Sequence, residues 1–388
     1  MVIRCGQNLV RLDCAGPAFD RTGLDAAGID AVGIDAVGID AVGIDAVGID
    51  AVGINLGATV GRGRRDAPAA SLGRVIPMTG PSSSAGSGFH DGELAVQQRA
   101  GVDIAAARLA GMLRPADLRG GASQFLAERT FAAITARDSA GRLWISALTG
   151  AAGFLQARGA SLLVISAVPV AGDPLHRLDA DQPVGLLAVD FATRRRFRMN
   201  GTLMSVGAAG LEIWVDQAYG NCPQYIQRRS LGPVGPIADA APRRGSALTP
   251  VDAALIERAD TFLLGTTHPQ RGNDASHRGG SPGFVRVERD AGTLWWPDYP
   301  GNNMFNSLGN LVSDETAALL FADFVTGHTL HLSGTATLGW TAPGSPGDDG
   351  GTGRRIQFRP ERIVAGSLLG ARAEGVGYSP ANPPLTPS

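Results

Sequence analysis

The sequence predicts a mainly β protein with flanking helices (α+β), in which one β-rich domain occurs twice in tandem behind a low-complexity N-terminal segment. Three observations carry this. Short runs rich in Val, Ile, Phe and Thr, bounded by Gly, Asp and Pro, recur with few helical patterns between them. The run LLAVDFATRRRFRMNGT (186–202) aligns without a gap with LLFADFVTGHTLHLSGT (319–335), and Asp190, Phe191, Thr193, Gly201 and Thr202 match Asp323, Phe324, Thr326, Gly334 and Thr335. Finally, Gly23 to Ile54 repeat GIDAV with a period of five, which fits neither a helix nor an alternating strand. That segment is expected to be disordered, or an upstream extension of the reading frame. A right-handed solenoid is the other geometry a pentad allows.

Composition narrows the classes. With 388 residues, 44% of them hydrophobic, the chain can bury a sizeable core. A net charge of -2 with both signs interspersed excludes a nucleic-acid footprint and a polybasic membrane surface. All 34 basic residues are arginine, so a lysine Schiff base, a P-loop lysine and a Ser-Lys dyad are impossible. The same bias is what a GC-rich genome produces. Cys5, Cys14 and Cys222 are too few and scattered for a disulfide framework or a zinc site. No apolar run reaches about 18 residues, and no signal sequence is recognisable. These features predict a soluble cytoplasmic protein.

The expected order is a leader (1–88), a first domain (89–228), a linker (229–249), a second domain (250–372) and a disordered tail (373–388). FHDGELAVQQRAG opens a helix to about Leu113, burying Leu94, Val102, Ile104 and Leu109, with Asp91 as N-cap. His90, Asp91 and Glu93 could alternatively form a metal cluster. Strands follow at 131–137, 143–148, 161–168, 184–190, 196–206 and 211–219, a number that suits a small barrel or sandwich. CPQYIQRR reads as a helix. In the second domain, a helix (Pro250 to Ala259) precedes a strand (261–268). The shared Asp-Phe-x-Thr reads as a turn and the shared Gly-Thr as a bulge or corner.

Candidate chemistry concentrates between His277 and Asn310, where the first domain has only the bland SALTGAAGFLQARG. This contrast assigns one functional copy and one scaffold copy. Arg278 offers a bidentate fork to an anion, and Gly279 and Gly280 allow close backbone approach. In TLWWP, alternation puts Trp295 and Trp296 on opposite faces, one in the core and one exposed or facing a ligand, before Pro297 ends the strand. Asp298 belongs to turn geometry or meets a neutral part of a ligand. Asn302 or Asn303 caps a short helix, MFNSLGNL, whose N-terminus beside an arginine makes an anion seat. GxSxG, HExxH, CxxC and GxGxxG patterns are absent. His328 and His331, three apart in a strand, point to opposite faces and cannot share a metal.

The runs SHRGGSPGFVRV, PDYPGNNMFNSLGNL and LLFADFVTGHTLHLSGTA resemble the pyridoxamine 5'-phosphate oxidase-like FMN-binding split-barrel proteins, in particular the bacterial subgroup with two barrels in one chain. FHDGELAVQQRAG and YGNCPQYIQRR are also similar to stretches of that subgroup. The resemblance spans about residues 89–372 and implies a tandem duplication of a six-stranded split β-barrel that binds FMN. Carried onto this sequence, it points to Arg278, Gly279, Trp296, Asn303, Asn306 and Ser307, with Gly280, Pro297 and Asp298 beside them. The lysine often found at the family's phosphate site is missing, and residues for vitamin B6 oxidation are not recognisable. The implied activity is an FMN-dependent oxidoreductase acting on a small-molecule substrate, with NAD(P)H or another electron donor. The alternative is a non-catalytic flavin- or haem-binding or sensing protein, and a deazaflavin is a third cofactor for such a barrel. The fused copies would reproduce a dimer interface within one chain, or the chain forms a homodimer.

Overall fold

The computed structural model describes residues 2–5, 8–11, 88–233, 241–346 and 348–385, so the GIDAV repeats lie outside the described residues. The chain divides into two compact units, Met1–Asp45 and Ala46–Ser388. The first contains an antiparallel hairpin of β1 (Val2–Cys5) and β2 (Asn8–Arg11).

In the second unit, helices α1 (Asp91–Arg99), α2 (Asp103–Ala107) and α3 (Gly121–Ala127) precede a seven-stranded sheet. Its strands are β3 (Phe131–Arg137), β4 (Leu143–Thr149), β5 (Leu155–Arg158), β6 (Leu162–Ile165), β7 (Gln182–Asp190), β8 (Arg195–Gly207) and β9 (Gly210–Gly220). Short β10 (Gly232–Pro233) and β11 (Arg243–Gly245) lead to α4 (Pro250–Arg258). The second sheet contains β12 (Thr261–His268), β13 (Gly272–Gly279), β14 (Arg286–Glu288), β15 (Thr293–Pro297), β16 (Thr316–Ala322), β17 (Thr329–Trp340) and β18 (Arg354–Gly366), with α5 (Asn306–Ser313) inserted after β15; β19 (Ala371–Arg372) follows and pairs separately with β10.

Both sheets are antiparallel and follow one path. The first runs β4-β3-β7-β8-β9-β6-β5 and the second β13-β12-β16-β17-β18-β15-β14, with β11 added beside β18. Each domain therefore has seven strands on its path, one more than expected, because LQAR pairs with β6. The shared sequence features land at equivalent places. Asp190 accepts hydrogen bonds from the Ala192 amide (3.0 Å) and the Thr193 hydroxyl (2.7 Å), as Asp323 accepts from the Val325 and Thr326 amides. Register shifts fall at Asn200/Gly201 and at Ser333/Gly334, so the Gly-Thr pairs do mark bulges. The likeness also extends further back than the aligned run: Leu175 and Leu178 are buried as Leu308 and Leu311 are, 133 positions on, and Gly172 and Phe305 both have positive φ.

Four apolar clusters hold this unit, the smallest of them formed by Leu113, Tyr219 and Met304. One lies under the first sheet around Ile134, Trp144 and Leu186, and one under the second around Phe262, Trp296 and Phe358. The third, with Phe131, Leu187, Phe191, Leu263, Leu320 and Phe324, draws on both sheets. Strands β3 and β12 are covered on both faces, so every residue of β12 and all of β3 up to Ala136 are buried without alternation. The sheets meet closely: a Cβ on Gly185 would sit 2.5 Å from the Asp274 backbone, and one on Gly265 would sit 2.7 Å from Thr135.

Several local expectations are corrected. The helix expected to reach Leu113 breaks after Arg99, where Gly101 takes φ +68°, and continues as α2 and a single 3-10 turn. Its buried face is Glu93, Val96 and Gln97, while Leu94 and Ile104 are exposed. His90, not Asp91, is the N-cap, in a capping box with Glu93. CPQYIQRR forms turns and an isolated bridge, since Tyr225 adopts φ +64°. Helix α5 starts at Asn306, later than MFNSLGNL suggested, and Phe305 precedes it in a left-handed conformation. Residues 229–249, read as a linker, and 373–385, read as part of a disordered tail, both make pairings: β10 with β19, β11 with β18, and Gly377 with Arg228.

The close approach of the sheets predicts that Gly185→Val lowers stability by about 2–3 kcal/mol through overpacking against backbone that cannot yield. Gly220, whose Cβ would meet nothing within 4 Å, serves as control. Urea denaturation should place Gly220→Ala near wild type; a Gly185→Val midpoint equal to wild type would contradict the packing.

Candidate functional site

A cleft lies where the first sheet meets the second, with about 820 Å3 of unfilled space counting the part open to solvent. Its walls come from both halves of the unit. β8 supplies Arg196 and Arg198 from one strand face, and the loop after β9 supplies Asn221, Cys222 and Tyr225. From the second sheet come Arg278 on β13, Trp296 on β15, Asp298 and Tyr299 on the following turn, and Asn306 and Ser307 at the start of α5.

Three guanidiniums dominate the electrostatics. Arg198 is 6% exposed and lies 3.3 Å from Asp274 of β13, with longer contacts of 3.5 Å to Asn306 Oδ1 and Ser307 Oγ. Arg196 donates only to carbonyls, from Nε to Cys222 (3.0 Å) and from Nη1 to His277 (3.0 Å). Arg278 has only a loose contact with Asp298, at 3.7 Å, because that carboxylate is held more closely by Arg354 Nε at 2.8 Å. Burial, then the neighbouring Arg198 and Arg278, pull Arg196 down to about 9. Burial likewise lowers Arg278, against the pull of Asp298. Arg196 and Arg278 are thus two cations crowded together with little carboxylate of their own, and an anion placed between them would relieve the repulsion.

Other bare polar atoms point the same way. Arg278 Nε, Trp296 Nε1, Tyr299 Oη and Asn221 Oδ1 are buried without hydrogen-bond partners, and all belong to residues lining the cleft. Three of them are N–H or O–H donors, and buried donors left unpaired are rare. Strain collects here as well. Of the five non-glycine residues with positive φ among the described residues, Tyr225, Asn303 and Phe305 border the cleft. Such backbone persists where the surroundings over-determine it, and it clusters at ligand clamps. No side chain caps the first turn of α5, whose first residues, Asn306 and Ser307, line the cleft, so its N-terminal amides are available to an anion there.

The structure brings together Arg278, Gly279, Trp296, Pro297, Asp298, Asn303, Asn306 and Ser307. Gly280 stands apart: its amide donates to Asp260 (3.1 Å), and its missing side chain makes room for Phe284, as Gly150 does for Phe154. Trp296 is the core tryptophan, edge-on to Phe262 at 5.0 Å, while Trp295 is half-buried between Arg286 and Arg355. Asn306 donates to Glu93 Oε1 (2.5 Å), and Ser307 Oγ donates toward Asp274 Oδ2 (3.2 Å). The first domain is more than a scaffold, since it contributes Arg196, Arg198, Asn221, Cys222 and Tyr225. The signal was present in the aligned run, where Arg196 and Arg198 stand opposite Thr329 and His331. Among the described residues, no group of three or more His, Cys, Asp or Glu side chains is placed to hold a metal ion, and no helix is long and apolar enough to cross a membrane.

No family model and no curated protein matches the chain. Among solved structures it is similar to HupZ of Group A Streptococcus, at 14% identity and a TM-score of 0.26, over 33% of this chain and 99% of that one. It is similar to HutZ, the heme storage protein of Vibrio cholerae, at 13% identity and a TM-score of 0.23, over 31% of this chain and 96% of that one. A Clostridium acetobutylicum protein of the pyridoxinephosphate oxidase family, related to general stress protein 26, matches at 16% identity and a TM-score of 0.22, over 31% of this chain and 88% of that one. At such scores the likeness carries no argument about function.

Glu93 supplies a test of the site's buried setting. Its carboxylate accepts from Asn306 and from the His90 amide (2.8 Å), yet burial outweighs both and raises it from 4.5 to about 7. The folded state therefore holds a proton that the unfolded chain has released, and this contribution, fully present below about pH 4.5, is lost as pH rises through 7. Relative to Glu93→Gln, the wild type should lose on the order of 3 kcal/mol of stability across that window. Parallel stability–pH curves for the two proteins would contradict it.

Proposed function

We propose that the cleft binds FMN, and that the protein is a flavoprotein of the pyridoxamine 5'-phosphate oxidase-like class, built as two split barrels by tandem duplication. The duplication is supported by the common strand path, the paired bulges and the equivalent burial of Leu175/Leu308 and Leu178/Leu311. The cofactor reading rests on one observation above the rest: Arg196 and Arg278 crowd together without a close carboxylate partner of their own, beside an uncapped helix start. Two such charges match a phosphate dianion.

In this reading Arg278 grips the phosphate from the second sheet and Arg196 from the first. Ser307 and the first amides of α5 complete the seat. Tyr299, Trp296 and Asn221 turn their bare polar atoms toward the polar edge of the ring system, and Tyr225, 5.0 Å from Tyr299 between ring centroids, shields it from water. Asp298 holds Arg354 and steadies Arg278 without cancelling its charge. Flavin would supply hydride acceptance from a small-molecule substrate or NAD(P)H, and the chain supplies position and electrostatics.

The purified protein should be yellow and release FMN on denaturation. Arg278→Ala should retain FMN at least about tenfold more weakly. A colourless protein that takes up no added FMN sinks the reading, and a Soret band or a deazaflavin spectrum would replace the cofactor.

A further inference from the structure

Beyond the Arg198–Asp274 pair lies a second cavity of about 600 Å3 of unfilled space, again counting the part open to solvent. It is bordered by α1, by β8 and β9, and by the turn into β13, and it shares Asn306 with the first cleft. Its character is the reverse of the arginine cleft. The lining includes the carboxyl groups of Glu93, Asp216 and Asp274 and one guanidinium, Arg271. His90 also borders it, but burial and the neighbouring His268 pull it down to about 4, so it adds no charge at neutral pH. Asp216 and Arg271 are occupied with interactions of their own.

Two buried acceptors are not occupied. Asp274 is 2% exposed, and its Oδ2 serves Arg198 and Ser307 while Oδ1 has no partner. Asn200 Oδ1 is likewise buried and unpartnered. Asn200 stands at the β8 bulge, where the register shift re-aims a side chain out of the regular ladder. Buried acceptors call for donors. A metal ion does not suit them, because no group of three or more ligating side chains among the described residues is placed to hold one.

We propose that this cavity is a binding site, separate from the arginine cleft, for a small organic cation that presents N–H donors, of the primary ammonium or amidinium class. A planar amidinium carries its N–H groups in a fork, which suits two acceptors on residues that border one cavity from strands of different sheets, Asn200 Oδ1 and Asp274 Oδ1. Arg198 reaches Asp274 from the opposite side through Oδ2 and leaves Oδ1 for the ligand. Glu93 already accepts from His90 and Asn306 and burial raises it to about 7, so it is not a member of the fork and carries only part of a charge at neutral pH.

The test is calorimetric titration of the full chain with acetamidine at constant ionic strength, set against tetramethylammonium, which has the same charge and no N–H donor. Saturable one-to-one binding of acetamidine alone is expected, weakened at least tenfold in Asn200→Leu, with a thermal melt to show that the variant is folded. Equal responses to the two cations, or an unchanged affinity in Asn200→Leu, would overturn the site. If Asn200→Leu does not fold, Asn200→Asp decides: its added charge should tighten acetamidine several-fold, and no tightening counts against the proposal. Flavin content is read separately from absorbance, so a colourless protein that still binds acetamidine keeps this site while losing the cofactor.

Discussion

The Arg198–Asp274 contact is the interaction on which the rest of the site depends. It joins β8 of the first sheet to β13 of the second across 3.3 Å, with the two residues 6% and 2% exposed. Removing one partner of such a pair leaves an uncompensated buried charge, at a cost of about 3–5 kcal/mol. The pair can exist because Gly185 lets β7 come against the Asp274 backbone, so close packing of apolar strands fixes where the charges meet. From that junction Ser307 and Asn306 are positioned, and through them the start of α5.

The same pair divides the polar interior. On one side Arg196 and Arg278 lack close anions; on the other Asn200 and Asp274 offer acceptors without donors. Each compartment alone would be an expensive arrangement of buried polar groups. Side by side, they form a dipolar groove along β8 and β13 that suits anionic chemistry at one end and donor-bearing chemistry at the other. The left-handed backbone at Tyr225, Asn303 and Phe305 borders the arginine end.

Much of this could be read from the sequence because the signals were local. Strand pairs, the α4 helix, the Asp-Phe-x-Thr turns and the Gly-Thr bulges follow from propensity and turn chemistry. Alternation alone separates Trp296 from Trp295. What escaped depends on distance. Glu93 reads as a first-turn acid because its partner Asn306 lies 213 residues away. Leu94 and Ile104 read as core because the face of α1 that packs on α5 is chosen by Gly92 and Gly309, which approach backbone to backbone. Arg196 and Arg198 were not legible as cleft residues because a repeated segment suggests architecture, whereas these two arginines stand where the aligned runs differ.

The central claim is that both sheets grip one phosphate. Calorimetry of FMN and riboflavin with cofactor-stripped wild type and Arg196→Ala measures it directly, because the two ligands differ only in that phosphate. Wild type should prefer FMN at least about a hundredfold, as two charge-assisted contacts imply. Arg196→Ala should lose most of that preference while binding riboflavin as before. Equal affinity for the two ligands in wild type, or an undiminished preference in Arg196→Ala, would contradict the account.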